Sequence, residues 1–198
     1  MPAKRTGIIA LGAALAALLA VGLIELAGSS SSPAPASSKL TLAQVRARLA
    51  GASAPLAELH AQAGALLPGG SMAVNEQLAA LRGHPVVINK WASWCEPCRA
   101  EFAAFQQASL AQGRSVAFLG IDSGDASRAD ALAFLRAHPV GYPSYYDRSG
   151  ALGAAVTDST FTPVTVFYDR RGSQYIHQGP YLSAAKLEQD VRRYALDA

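Results

Sequence analysis

The chain has 198 residues, of which 51% are apolar and 16% are charged, and its formal net charge is +3. A chain of this size and composition can bury a full core without disulfide staples. Its basic residues are scattered singly or in pairs, which excludes the basic stripe of a nucleic-acid-binding protein. Its only two cysteines, Cys95 and Cys98, are too few for a disulfide framework or a four-thiolate metal site.

The N-terminal part of the chain is dominated by an apolar run at 7–28, whose 22 residues include one charge, Glu25. About 20 apolar residues suffice for a helix to cross a membrane, so we expect a transmembrane signal anchor, with a cleaved signal peptide as the alternative. Lys4 and Arg5 precede the run, which predicts a cytoplasmic tail at 1–6. The expected localisation is the cell membrane, single-pass, with the rest of the chain in an oxidising extracytoplasmic compartment.

Three further segments follow the apolar run. The Ser- and Pro-rich stretch 29–38 lacks apolar periodicity and is predicted to be a linker. Residues 39–55 are predicted to be a helical lead-in, where Thr41 is placed to cap a short amphipathic helix. The main domain is expected to span 56–198.

A β-branched and aromatic run at 86–91 predicts a buried strand that leads directly to the cysteines. The residues after Cys98 have a helical composition, so we expect a strand, a short loop and a helix that begins at the cysteines. A helix N-terminus favours a thiolate through its free N–H groups and partial positive charge. This predicts Cys95 as the attacking sulfur and Cys98 as the resolving thiol, with Pro97 suited to the first helical turn.

Two other interpretations of the cysteine pair remain open. The two thiols can be structural, or they can form half of a metal site that histidines complete. The chain contains no second C-x-x-C, and Arg99 stands where a haem-attachment motif requires histidine. The preceding strand and the following helix favour redox exchange over both.

The sequence WASWCEPC at 91–98 resembles the active-site signature of the thioredoxin superfamily, in particular its membrane-anchored TlpA/ResA/DsbE-like branch. The resemblance covers about residues 56–198. It implies an α/β, thioredoxin-like fold with a central mixed sheet flanked by helices. A parallel βαβ unit over 86–121, an α–β insertion after it, a hairpin over 164–177 and a closing helix capped by Ser183 are the expected parts. No cofactor is implied besides a redox-active Cys95–Cys98 disulfide.

The segment around Thr162 and Pro163 resembles the cis-proline strand of thioredoxin folds. The resemblance implies a cis peptide bond against the cysteine pair and a Thr162 backbone that pairs with a substrate peptide. The substrate-binding residues that it implies are Trp94, Glu96, Pro97, Thr162 and Pro163. In the insertion, Asp125 or Ser127 is expected to cap a helix over 126–137.

Glu101 follows Cys98 by three residues, as in ResA-like proteins. At that spacing a carboxylate lies one helical turn from the thiol and can exchange a proton with it or raise its pKa. The alternative is a solvated helix glutamate. Plain thioredoxins have a buried aspartate where this chain has Asn89, so proton transfer is expected to involve Glu101, Glu96 or water.

The resemblance implies an enzyme that exchanges disulfides with client proteins. The implied client is apocytochrome c, the implied direction is reduction, and a membrane thiol protein would donate or accept the electrons. An oxidase of secreted proteins has the same chemistry, since the redox potential of the pair sets the direction. A haem or copper chaperone that uses the two thiols as ligands is the alternative of another class. A peroxiredoxin is disfavoured, because it needs a threonine where this chain has Ala92.

Overall fold

The computed structural model describes residues 40–197. Within that range the helices are α1 (Leu42–Arg48), α2 (Ala54–Ala61), α3 (Ser71–Ala80), α4 (Glu96–Gln112), α5 (Arg128–Ala137), α6 (Ala151–Thr157) and α7 (Ala184–Val191). The strands are β1 (Leu66–Pro68), β2 (Val86–Trp91), β3 (Ala117–Ser123), β4 (Ser144–Asp147), β5 (Val164–Tyr168) and β6 (Gln174–Gln178). A π-helical segment, Arg192–Leu196, continues α7.

These strands form one mixed sheet in the order β1-β4-β3-β2-β5-β6. The first four strands in that order are mutually parallel, whereas β5 pairs antiparallel with β2, and β6 antiparallel with β5. β2, α4 and β3 make the predicted βαβ unit, and α5 with β4 makes the predicted insertion. The expectation of an α/β, thioredoxin-like fold is therefore confirmed.

The central strand β2 is buried on both faces because its side chains alternate between two cores. On one face Trp91 packs against Phe102 of α4 and Phe134 of α5, with ring centroids 5.1 and 5.3 Å apart. On the other face Val86 and Ile88 pack in a second core that includes residues of α2, α3 and α6. Helices on both sides thus fix the end of β2, from which the chain continues to the cysteines.

Several helix starts follow the capping chemistry predicted from the sequence. Thr41 accepts a hydrogen bond from the Gln44 N–H and forms a full capping box at α1. Ser127 caps α5, and Ser183 caps α7. Of the two residues considered for the α5 cap, Ser127 is the correct one, and Asp125 has a different partner, described below.

The prediction of a single-pass membrane localisation is wrong for the chain that the structure describes. Within residues 40–197 no helix is long and apolar enough to cross a membrane. The longest of them, α4, has 17 residues and carries Glu96, Arg99 and Glu101, whereas a span needs about 20 apolar residues. The predicted tail, anchor and linker lie outside the described residues. We withdraw the membrane localisation, and the boundary at 55 and 56 stays a prediction.

Candidate active site

The two cysteines lie where the chain passes from β2 to α4. They form a disulfide in which Cys95 is the N-cap residue of α4 and Cys98 lies in its first turn. Cys95 is 4% exposed and Cys98 is fully buried. Of the two residues, only Cys95 has any surface that a partner can reach, which favours Cys95 as the attacking residue and Cys98 as the resolving one.

The start of α4 is built to stabilise a negative charge on Cys95. The Cys98 backbone N–H donates a hydrogen bond to Cys95 Sγ over 3.2 Å. Pro97 occupies the first turn, where its missing N–H leaves no hydrogen bond unmade. Glu96 is exposed and pairs with Arg99 at 3.6 Å on the helix surface. The helix dipole and the Cys98 N–H together favour a Cys95 thiolate in the reduced protein.

The loop before the cysteines is held by the insertion. Asp125 accepts hydrogen bonds from the Ser93 backbone N–H and from the Ser93 hydroxyl, each over 2.8 Å. Next to it, the Trp94 indole N–H donates to the Gly124 carbonyl over 3.2 Å, while the side chain remains 65% exposed. Asp125 is thus a clamp on the active-site loop and not a helix cap. The two carboxylate bonds fix the residues that immediately precede Cys95.

A second carboxyl group, Asp122, lies buried behind this clamp at the end of β3. Burial, together with the nearby carboxylates of Asp125 and Asp147, raises the pKa of Asp122 to about 9 against the opposing effect of Arg128. Asp122 is therefore neutral near pH 7.

The segment before β5 closes the other side of the cysteine pair. The peptide bond between Thr162 and Pro163 is cis, as the resemblance implies. Pro163 is buried, and the Thr162 carbonyl oxygen lies 3.8 Å from Cys95 Sγ. Phe161, just before it, is 73% exposed. The structure thus brings Thr162 and Pro163 next to Cys95, while their part in substrate binding stays a prediction.

Glu101 lies one turn along α4 from Cys98 and is fully buried. Its Oε2 accepts a hydrogen bond from the Tyr181 backbone N–H over 3.1 Å, and its Oε1 has no hydrogen-bond partner within residues 40–197. Burial raises the pKa of Glu101 to about 8, although the Tyr181 amide and the Asn89 side chain lower it. The solvated-glutamate alternative is wrong, and Glu101 can gain or lose a proton near neutral pH.

Of the side chains predicted to transfer protons, the structure places only some in the interior beside Asn89. Asn89 is fully buried in β2, and its amide cannot act as a base. Glu96 is on the surface, with a side chain that is 88% exposed. Glu101 is therefore the titratable side chain of that set that lies in the interior. Its predicted proton exchange with Cys98 stays a prediction.

Two residues near the site were missed by sequence reasoning. Asp125 precedes α5 and is considered above only as one of two candidates for its cap, whereas its partner Ser93 is 32 residues away in sequence. Lys90 was read only as part of strand 86–91, yet it is 2% exposed in the middle of the sheet. A lysine inside an otherwise apolar strand was the signal that could have identified it.

The fold and the site are those of a thioredoxin-like thiol–disulfide oxidoreductase, with a C-x-x-C disulfide at a helix start facing a cis-proline segment. The AhpC/TSA family matches residues 51–173, and the chain belongs to that family. The Thioredoxin-like protein YneN of Bacillus subtilis is 29% identical over 113 residues, which are 56% of this chain. The chain covers 65% of that relative, slightly less than two thirds of its length.

Solved structures show the same likeness. A secreted disulfide oxidoreductase of Mycobacterium tuberculosis, homologous to DsbE of E. coli, is 26% identical with a TM-score of 0.52, over 58% of this chain and 85% of that one. A DsbF homologue from Corynebacterium diphtheriae is 26% identical with a TM-score of 0.54, over 59% of this chain and 75% of that one. Both likenesses support the thioredoxin-like fold and the redox interpretation of the cysteine pair.

Proposed function

We propose that this chain exchanges disulfides with client proteins through the C-E-P-C motif at 95–98 and that it works as a reductase. The observation that carries the proposal is the position of Cys95 Sγ. This sulfur accepts the Cys98 N–H at the start of a 17-residue helix and lies 3.8 Å from the Thr162 carbonyl. A thiolate at that position is stabilised for attack, beside a backbone segment that a client can meet.

The first step is attack by the Cys95 thiolate on one sulfur of a client disulfide. A bond forms between Cys95 Sγ and that sulfur, the client disulfide breaks, and the second client sulfur leaves as a thiolate. The exposed Trp94 and Phe161 side chains flank the sequence positions of Cys95 and Thr162 and provide apolar contact area for the client. Cys98 is fully buried, so it takes no part in this first attack.

The second step releases the client. The Cys98 thiol loses its proton, for which we assign the ionised form of Glu101 as the acceptor, since Glu101 lies one turn away and a pKa of about 8 leaves a fraction of it ionised near neutral pH. The Cys98 thiolate then attacks Cys95 Sγ, the mixed disulfide breaks, and the client sulfur leaves as a thiolate. Two electrons have passed to the client, and Cys95 and Cys98 are left as the disulfide. An external dithiol must reduce this disulfide before the next cycle.

For the client we propose apocytochrome c, whose C-x-x-C-H cysteines must be reduced before haem attachment. The proposal is supported by the resemblance of C-E-P-C-x-x-E at 95–101 to ResA-like proteins. A suitable test compares two oxidised peptides, one with C-x-x-C-H and one in which alanine replaces the histidine. We expect faster reduction of the first peptide, whereas equal rates would remove the cytochrome c assignment and leave the general exchange activity standing.

The main test of the activity is reduction of insulin disulfides with dithiothreitol as electron source. We expect turnover by the wild type and none above background by Cys95→Ser, with unchanged circular dichroism. A Cys95→Ser variant as active as the wild type would overturn the proposal. A stoichiometric haem or copper retained through purification, with no insulin reduction, would favour the chaperone alternative.

A redox-buffer titration of the Cys95–Cys98 couple tests whether the protein reduces or oxidises its clients. A potential at or below roughly −220 mV, in the range of the cytosolic glutathione pool, fits a reductase. A potential near about −120 mV fits a strong oxidant and would reverse the proposed direction while leaving the exchange chemistry intact.

A further inference from the structure

Lys90 is a buried cation in the strand that leads to the cysteines. It is 2% exposed, and its neighbours in β2 are apolar or uncharged. Burying an ammonium group is costly unless hydrogen bonds and charges compensate for the lost water. An apolar side chain would fill this part of the strand without the free-energy cost of removing a charge from water. The presence of lysine therefore requires an explanation from its contacts.

The Lys90 ammonium group holds the segment that precedes the cis-proline. Lys90 Nζ donates a hydrogen bond to the Ser159 carbonyl oxygen over 2.6 Å, across 69 residues of sequence. A donated bond from a charged group is among the stronger hydrogen bonds in proteins. Two and three residues further along the chain are Phe161, which is exposed, and Thr162, whose carbonyl oxygen lies 3.8 Å from Cys95 Sγ. Lys90 thus anchors one end of the 159–162 segment to the central strand.

The same carbonyl has a second donor nearby, but one that is shared. Thr157 Oγ1 lies 3.1 Å from the Ser159 carbonyl oxygen and 2.7 Å from the Gly153 carbonyl oxygen. A hydroxyl group has one proton, so it cannot donate fully to both oxygens. Lys90 is therefore the main donor to Ser159. Within the segment itself, the Phe161 N–H donates to the Ser159 hydroxyl over 3.1 Å.

The surroundings of Lys90 are arranged for a lysine side chain. Gly153 of α6 faces it, and a Cβ atom at that position would lie only 3.0 Å from Lys90 Cε. Burial lowers the pKa of Lys90, and the nearby carboxylate of Asp147 opposes this effect by favouring the charged form. Asp147 does not depend on Lys90, because its oxygens also accept hydrogen bonds from the Gly153 N–H and from the Ser123 and Ser149 hydroxyls. Replacing Lys90 by an apolar residue consequently leaves no unpaired carboxylate.

From these contacts we propose that Lys90 is a positioning residue for client binding, which fixes residues 159–162 beside Cys95 through the Ser159 carbonyl. The inference rests on the proposed function. A client that pairs with the Thr162 backbone needs this segment in one conformation. If the segment were flexible, binding would have to order it, and the entropy lost would weaken the affinity for the client. A small disulfide that reaches only Cys95 does not need the segment. Lys90 therefore affects large and small substrates differently.

The test uses Lys90→Met, which keeps a long unbranched side chain and removes the charge. We expect KM for insulin to rise roughly tenfold, the effect of one charge-assisted hydrogen bond, with kcat changed by less than about twofold. Exchange with oxidised glutathione and the redox potential of the cysteine pair should equal those of the wild type. The control is Arg136→Met, which removes an exposed cation of α5 and should leave every value unchanged.

Amide hydrogen exchange tests the same idea without any activity. In Lys90→Met we expect the amides of 159–162 to exchange at least about fivefold faster, whereas those of β2 and α4 keep their wild-type rates. If Lys90→Met fails to fold, Thr157→Val removes the shared donor to Ser159 and should raise KM for insulin about two- to threefold. Unchanged KM and exchange in the folded variant, or equal losses with insulin and glutathione, would overturn the role of Lys90. An inactive wild type with the expected exchange pattern would overturn the proposed function alone.

Discussion

Glu101→Gln is the substitution that isolates the buried carboxyl group beside the cysteines. Glutamine has nearly the shape of glutamate and keeps an oxygen that can accept the Tyr181 backbone N–H. What it loses is the ability to ionise. Any change in how stability depends on pH therefore reports the ionisation of Glu101 itself and not a loss of packing.

The magnitude follows from the raised pKa of Glu101. The pKa is 4.5 in the unfolded chain and about 8 in the folded protein, so the native state keeps a proton that the unfolded state has lost between these values. The retained proton therefore makes a contribution to the free energy of unfolding that is complete below about pH 4.5 and is lost as the pH rises towards 8. At about 1.4 kcal/mol per pKa unit the loss is at most on the order of 5 kcal/mol. Glutamine does not ionise, so Glu101→Gln lacks this part of the change of unfolding free energy with pH.

Urea denaturation at pH values from 4.5 to 8 measures the slope of the unfolding free energy against pH. The oxidised protein is used because the disulfide keeps the cysteines from titrating. The wild type should lose stability steadily, Glu101→Gln should lose clearly less, and the exposed Glu58→Gln should match the wild type. Asp122, whose pKa burial raises to about 9, supplies a remaining loss of stability with rising pH. Burial lowers the pKa of His60 and His177, which has the opposite effect, so the double variant with Asp122→Asn should no longer lose stability as the pH rises. A Glu101→Gln slope equal to that of the wild type would refute the buried, protonated Glu101.

Two further predictions concern the packing around the site. Asp125→Ala removes both acceptors of Ser93 and should lower the unfolding free energy by about 1–3 kcal/mol, whereas the exposed Asp130→Ala should cost less than about 1 kcal/mol. Equal thermal shifts for the two variants would contradict the clamp. Phe102→Ala, which removes a ring 4.6 Å from that of Phe134, should cost about 3–5 kcal/mol in urea denaturation. The exposed Phe161→Ala should cost almost nothing, and a similar loss in both would contradict the assignment of the core.

The parts of the fold that could be predicted from sequence are those with strong local signals. The apolar run of β2 and the helical composition after Cys98 gave the central βαβ unit, and Thr41, Ser127 and Ser183 have the side chains that cap helices. By contrast, β1 has three residues, too few to show a period. The helix α6 is a short segment with an internal glycine, which has low helix propensity.

The contacts of the site that could not be predicted are those between residues distant in the sequence. Asp125 and Ser127 are both good capping residues, and only the folded chain shows that Asp125 meets Ser93. The hydrogen bond to the Glu101 carboxyl group comes from the Tyr181 backbone, which is 80 residues away. The partner of Lys90 is a backbone carbonyl, a group that every residue has and that no sequence pattern marks. The type of chemistry and the candidate Glu101 could therefore be predicted from the motif, whereas the long-range partners of Asp125, Glu101 and Lys90 could not.

The central claim is that Cys95 attacks the client and Cys98 releases it, and trapping of the covalent intermediate tests it most directly. Each single serine variant is incubated in its reduced form with an oxidised client peptide, and the products are separated without reductant and weighed by mass spectrometry. Cys98→Ser should accumulate a one-to-one mixed disulfide through Cys95, because the resolving thiol is absent. Cys95→Ser should accumulate none, since Cys98 is fully buried. An adduct on Cys98 in the Cys95→Ser variant, with none in Cys98→Ser, would contradict the account.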